Sequence, residues 1–323
     1  RSLLQIFAFL SAIHLGAPAA MAGNGYFALG YGPVSRQMSG AVTAVTGDAY
    51  AGSSNPAKLI AAGDRTDIGV EGLFLYRKVE RSGSGTAYDF ASKSNNSFFP
   101  VREAAVGRRI NDRLAWGVTV YGNGGLNTEY KDSSNLPGAN FNPVMCGNEP
   151  ANFLLGCGKV GFDLVQIVVA PVVAYQAAPG HAVGIAPLMT VQRIRAYGFQ
   201  AFVPLSDNPG AVTNNGNDLA FGGGARFGWL WQISPSLSFG AAYATRVKMQ
   251  KFDKYKGLFA GGNFDVPANY SLGVALKPLP RVTASFDYQH VNYSTVRALA
   301  NNGLNTLLDP VNNPLGSRTG SGF

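Results

Sequence analysis

From Arg65 onward the chain alternates apolar and polar residues with a period of two, strand after strand. A period of two puts successive side chains on opposite faces of an extended chain, so each stretch has one greasy face and one wet face. Ile68, Val70, Phe74 and Tyr76 share a face in the first strand; residues 98–110 and 114–121 form the second and third, and 162–177 and 182–200 the fourth and fifth. Residues 219–231, 237–249, 270–276 and 282–288 supply the sixth to ninth, the seventh with Val247 and Met249 on its apolar face. Alternation alone suits a soluble sandwich as well as a barrel. The connections separate the two. Short turns at Ile110–Arg113, Ala178–His181, Ser234–Ser236 and Pro278–Pro280 take turns with long polar loops at 80–97, 123–161, 201–217, 251–266 and from 294 on. One rim is trim and the other elaborate, which is the pattern of a transmembrane β-barrel.

Composition agrees. Charged residues are 14%, against roughly 25% in soluble proteins. After the N-terminus no apolar run reaches the ~18 residues of a membrane helix. Tyr76, Trp229, Trp231, Tyr288 and Tyr293 lie near strand ends, which suits interfacial girdles, although Tyr and Trp also populate soluble cores. Bacterial barrels have even strand numbers and no free edge, so further strands are expected beyond the nine; with no initiating Met at Arg1, a chain truncated at both ends is the expectation.

Residues 1–22, RSLLQIFAFLSAIHLGAPAAMA, carry a cation, an apolar core and an Ala-x-Ala ending. This is the pattern of a secretory signal, and the exported chain then starts near Gly23. Residues 23–63 lack alternation and are rich in small residues, so a compact plug, or hatch, inside a barrel spanning 64–323 is the expected arrangement. Ser39–Asp48 and Asn55–Ala62 are candidate short helices; Asn55 suits a cap and Pro56 a first helical position, although Asn-Pro also makes a plain turn. Glycines within the strands permit bends or a close approach by the plug.

The net charge of +8 comes from dispersed cations, which fits a wet lumen or an anionic surface rather than nucleic acid. Cys146 and Cys157 fall in one polar loop; in an oxidising compartment they are expected to pair and staple it, two free thiols being the alternative. A zinc site is not expected, the three histidines (His14, His181, His290) form no cluster, and no nucleophile–base pair or phosphate loop is legible. No metal, cofactor or enzymatic activity is expected.

The segments SGAVTAVTGDAYAGSSNPAKL at 39–59 and DVPANYSLGVALKPLPRVTASFDYQHVNYS at 265–294 resemble the long-chain fatty acid (FadL-type) outer-membrane transporter family, with Asn55-Pro56-Ala57 the most specific mark. The resemblance implies a fourteen-stranded barrel, nine strands of it present here, with an N-terminal hatch containing Ser39, Gly40, Asn55, Pro56 and Ala57. It implies passive uptake of long-chain fatty acids or other hydrophobic compounds, such as hydrocarbons, across the outer membrane of a Gram-negative bacterium. Lipid and lipopolysaccharide are the expected surroundings and a monomer the expected state. Phe141, Met145, Phe153, Leu154, Leu155, Leu258 and Phe259 are loop residues able to capture such a ligand, or to pack the loops on one another. Arg193, Arg195, Arg246 and Lys248, near the outer ends of strands, are candidate inward cations for a carboxylate, or ordinary lumenal charges. A general porin, a surface adhesin on a barrel anchor and an outer-membrane enzyme are the rival readings. A kinked strand would open the wall sideways, but its position is not legible.

Overall fold

The alternating segments hydrogen-bond into one curled antiparallel sheet. In the computed structural model, which describes residues 25–83, 89–131 and 143–322, the strands are β1 (Arg65–Phe74), β2 (Lys78–Arg81), β3 (Phe90–Lys93), β4 (Phe98–Asn111), β5 (Leu114–Tyr130), β6 (Val160–Ala178), β7 (His181–Tyr197), β8 (Asp218–Ser234), β9 (Leu237–Ala244), β10 (Lys248–Met249), β11 (Asn269–Leu279) and β12 (Val282–Val291). The order is β1-β4-β5-β6-β7-β8-β9-β11-β12, each strand pairing antiparallel with its neighbour, and β10 pairs back onto β8. These nine successive strands are the nine read from the sequence. Residues 80–97, expected to be loop, contain most of a separate β2–β3 hairpin. The signal-like segment 1–22 lies outside the described residues.

The polarity of the sheet is inverted relative to a soluble sandwich. Ile68, Ile167, Val173, Ile185, Phe227, Leu272 and Phe286 are exposed on the outer face, Ile68 by 75% and Phe286 by 70%. Thr119, Gln166 and Gln192, on the inner face, are fully buried. A sheet that turns its apolar side out and its polar side in is built for a hydrocarbon surrounding. His181 stacks on Trp231 (5.2 Å between ring centroids) and Trp231 lies 6.2 Å from Phe239, forming an aromatic rim beside the short turns. Tyr293 departs from the expected girdle: it turns inward against Tyr26 (5.8 Å) and Phe27 (6.0 Å).

Two strand boundaries also differ from expectation. The fifth predicted strand stops at Tyr197. The seventh breaks after Ala244, which pairs with Arg226, whereas Lys248 pairs with Gly223. Four steps on one strand face three on the other, a bulge with one extra residue. That residue flips the phase, so Val247 and Met249 turn inward and are buried while Lys248 is exposed.

Residues 25–63 fill the concave side of the sheet. They hold α1 (Gly32–Gln37), one-turn 3-10 helices at Tyr50–Ser53 and Pro56–Lys58, and α2 (Leu59–Ala62). Asn55 caps the second of these, its Oδ1 accepting from Ala57 N at 3.1 Å with Pro56 at the first helical position. The expected helix at Ser39–Asp48 is absent; Ser39 (φ 51°) and Gly40 (φ 86°) are left-handed and turn the chain directly after α1. Two short helices, α3 (Pro143–Cys146) and, after β12, α4 (Arg297–Ala300), lie in the long loops with α5 (Asn305–Leu308).

Candidate functional site

The inner wall presents pairs of glycines to the hatch. Gly107 faces Gly117 across β4–β5, Gly184 faces Gly228 across β7–β8, and Gly240 faces Gly273 across β9–β11. At each pair the hatch lies where side chains would stand. A Cβ at Gly107 would come within 2.9 Å of Leu59 Cδ1, one at Gly184 within 2.5 Å of Ala57 N, and one at Gly240 would overlap the Thr43 carbonyl. At Gly184 and Gly240 the plug therefore approaches main chain to main chain, which only residues without a Cβ permit, and at Gly107 the Leu59 side chain takes the space. A Gly228→Ala change drives its Cβ into Asn55 Oδ1 and to 2.8 Å from Pro56 Cδ. It is expected to cost about 1–3 kcal/mol by overpacking, seen as a lower melting temperature and as protease cleavage within 25–62 while the barrel stays protected.

Polar contacts then pin the hatch around the curl. Asn55 is fully buried and its Nδ2 donates to the carbonyls of Thr43 and Trp229, both at 2.9 Å. Gly32 N donates to Glu103 Oε2 (2.6 Å), Arg36 pairs with Glu71 (2.9 Å), Ala49 N donates to Asp67 (2.7 Å), and Thr43 N donates to Asp287 (2.8 Å). Lys58 is buried with its Nζ donating to Val42 O at 2.8 Å. Burial pushes its ammonium down from the ordinary lysine value, while Asp48 and Asp287 pull it back up.

One part of the wall is open. β4 and β5 pair from Asn111↔Leu114 up to Ala104↔Val120 and then part. Beyond that point Phe98–Glu103 pair only with β1, and Tyr121–Tyr130 only with β6. The β5–β6 register shifts between Gly122 and Gly124, so β5 carries the kink whose place the sequence did not reveal. Above the gap the strands are rejoined, Asn95 N donating to Glu129 O (2.7 Å) and Asn96 Nδ2 to Asn127 Oδ1 (3.0 Å). The result is a window bounded on all sides. The first described residues of the hatch fill it from within: Phe27 bridges Gly124, Ala28 N donates to Asn123 O, and Gly125 N donates to Tyr26 O, both at 3.1 Å. Tyr31 locks this edge, its hydroxyl donating to Asn123 O (3.1 Å) and lying 3.0 Å from Asn123 Oδ1, with its ring 4.7 Å from Tyr121. Burial pushes the Tyr31 phenol well above its ordinary value, so it remains a neutral donor.

Behind the window a chamber of about 270 Å³ separates the hatch from the wall. Phe27, Leu29, Tyr31, Ser39, Gly40 and Val42 line it on the hatch side, and Arg226, Ala242, Ala244 and Ser271 on the wall. Arg226 is buried, with its Nη1 donating to Gly52 O at 3.1 Å, and it joins none of the ion pairs among the described residues. Sequence reasoning did not single it out. The signal was available: a lone arginine in phase with the inward Ala220 and Gly228.

The cations that were singled out lie elsewhere. Arg193 and Arg195 share the outward phase of Val183, Ile185, Met189 and Val191 and are exposed; Arg193 pairs with Asp163 at 2.8 Å. Lys248 is turned outward by the bulge, and Arg246 is held at the rim by Thr295 O (2.6 Å) and Asp265 (3.7 Å). None of the four faces the chamber. The apolar loop residues divide. Phe153 stacks on Phe90 at 4.9 Å, while Leu258 and Phe259 are buried in a cluster with Phe252 and Phe264. Leu154 is half-buried, Leu155 and Met145 are exposed, and Phe141 lies outside the described residues. Cys146 and Cys157 are bonded, with their Cα atoms 5.2 Å apart.

The fold has solved counterparts. The toluene transporter TbuX of Ralstonia pickettii superposes with a TM-score of 0.58 at 21% identity, over 83% of this chain and 73% of that one. The fold is that of the FadL-type transporters. The P. putida toluene transporter TodX matches with a TM-score of 0.58 at 19% identity (83% and 72% covered), and a Pseudomonas aeruginosa FadL homologue with 0.51 at 14% (84% and 70%). No family model and no curated protein sequence matches the chain. The FadL-type fold therefore stands on backbone geometry, and the residues of the chamber and window are this chain's own.

Proposed function

We propose that the chain forms an outer-membrane barrel for passive uptake of hydrophobic small molecules, hydrocarbons or fatty acids, releasing them sideways into the membrane. The observation that supports this reading best is the window between β4 and β5, filled by the hatch and adjoining the chamber. A general porin needs a water-filled lumen from rim to rim, whereas here the hatch occupies it. A greasy ligand gains about 0.8 kcal/mol per CH₂ kept out of water, so a sideways exit avoids the aqueous step that a straight channel would impose. Leu154 and Leu155 on the long-loop rim are first contacts. Leu258 and Phe259 cap the interior and must shift to admit a ligand. In the chamber Leu29, Val42 and Ala244 accept the apolar body, and Arg226 is the cation placed to hold a carboxylate where the ligand has one. That TbuX and TodX are toluene transporters supports a neutral hydrocarbon; the buried Arg226, in no ion pair among the described residues, supports an acid.

Uptake into vesicles carrying the protein separates these. Labelled toluene and labelled oleate are expected to enter faster than into empty vesicles, and sucrose at the empty-vesicle rate. Arg226→Met is expected to slow oleate and spare toluene. Entry of both labels at the empty-vesicle rate would sink the proposal.

A further inference from the structure

The cations at the long-loop rim are not used by the uptake route. Along β7 the outward phase runs Val183, Ile185, Met189, Val191 and then Arg193 and Arg195, all exposed. The face that is apolar up to Val191 becomes cationic within about 7–13 Å along the strand. Directly beside this change lies a cleft of about 590 Å³ between the β5–β6 loop and the β7–β8 loop, lined by Lys131, Glu149, Lys159, Arg195, Tyr197 and Gln200. Lys159 Nζ stands 4.9 Å from the centroid of the Tyr197 ring and 3.2 Å from Glu129, and Lys131 is 3.6 Å from the same carboxylate. Asp163 is occupied by Arg193. Arg195, whose guanidinium lies 5.3 Å from the Tyr197 ring centroid, joins none of the ion pairs among the described residues. Carboxylate and ring thus hold the two lysines and the arginine around one opening, with no hydrogen bond or ion pair taking up the arginine's donors among the described residues.

We propose that this cleft is a docking site for the phosphate groups of a phosphorylated glycolipid in the surrounding leaflet. A planar guanidinium with free donors matches phosphate oxygens, and the lysines add point charges. Continuity with the apolar outer face favours a lipid over a soluble anion: acyl chains lie along Val165, Ile167, Met189 and Val191 while the headgroup reaches Arg195. The exposed Lys248, Lys251, Lys254 and Lys256 extend the same basic rim. The inference rests on the reading of the barrel as an outer-membrane protein with its long loops outside.

Native mass spectrometry of the full-length protein in detergent, titrated with bisphosphorylated lipid A, dephosphorylated lipid A or inorganic phosphate, tests it. The phosphorylated lipid is expected to bind at least ~10-fold more tightly than the dephosphorylated one. Arg195→Gln combined with Lys159→Gln is expected to lose about tenfold of that affinity, and Lys131→Gln alone about threefold. Arg113→Gln, in a short turn at the opposite rim, is expected to change nothing. Equal binding of the two lipids, unchanged affinity in the double variant, or displacement of the lipid by inorganic phosphate at an equal concentration would each overturn the proposal. The double variant is expected to keep its hydrocarbon uptake in glycolipid-free vesicles, so failure of the uptake reading is seen separately from failure of this site.

Discussion

In the complete barrel of which this curled sheet forms the described part, excising residues 25–62 is expected to turn a plugged lumen into an aqueous conduit, with planar-bilayer conductance rising from the baseline of the intact protein to stable open steps and sucrose entering vesicles. The wall left behind is wet: Thr119, Gln166, Thr190 and Gln192 face inward and are buried. The hatch is held by separate hydrogen bonds, each contributing about 1 kcal/mol net, by glycine-floored contacts and by apolar packing of Tyr31, Leu59 and Ile60 with the wall, none of which belongs to the strand ladder. Retention of the heat-modifiable gel mobility typical of intact barrels shows that the excised protein is folded. Conductance and sucrose entry equal to those of the intact protein, in a folded barrel, would remove the hatch from the mechanism.

The second large effect concerns the window. Val101 on β4 and Gly122 on β5 face each other across it; a Cβ at Gly122 would lie 3.4 Å from Val101 Cγ1. Cysteines at both positions come within bonding range with little movement. The oxidised Val101→Cys, Gly122→Cys protein is expected to lose uptake by at least ~10-fold if release is a committed lateral step, and to recover it on reduction. The hatch is untouched by this bridge, so the two experiments separate plug from exit. Reduction also opens Cys146–Cys157, and the unsubstituted protein under reductant is the control. Full uptake by the bridged form would mean that ligand leaves by another path.

What the sequence carried was the local period. Nine strands, their two faces and the short and long rims follow from alternation, because side-chain direction in a strand is a property of neighbouring residues. The Asn55 cap is legible for the same reason. Errors arose where a single residue changes the phase or where the partner is distant. Arg193 and Arg195 were assigned inward although their own parity, shared with Val191, faces them out. Lys248, Val247 and Met249 were inverted by a bulge visible only in the pairing of β8 with its neighbours. The window depends on β5 keeping β6 while leaving β4, a choice of register that neither strand records by itself. Likewise the bond from Asn55 to Trp229 O spans 174 residues. The inward glycines were a usable hint, since Gly107, Gly117, Gly184, Gly228, Gly240 and Gly273 fall in wall positions where the plug must touch.

The parted strands carry a restoring force. Phe98–Glu103 and Tyr121–Gly125 turn toward each other the main-chain edges that they do not share, and Tyr26 to Ala28 cover part of that exposure with two backbone bonds. On the proposed route a ligand displaces this segment and polar edges meet hydrocarbon, where each unsatisfied group costs several kcal/mol. Passage of the ligand leaves those edges bare until the segment returns. On the proposed sideways route the opening would act like a sprung flap, yielding to a molecule already pressing on it and closing again as its edges re-pair.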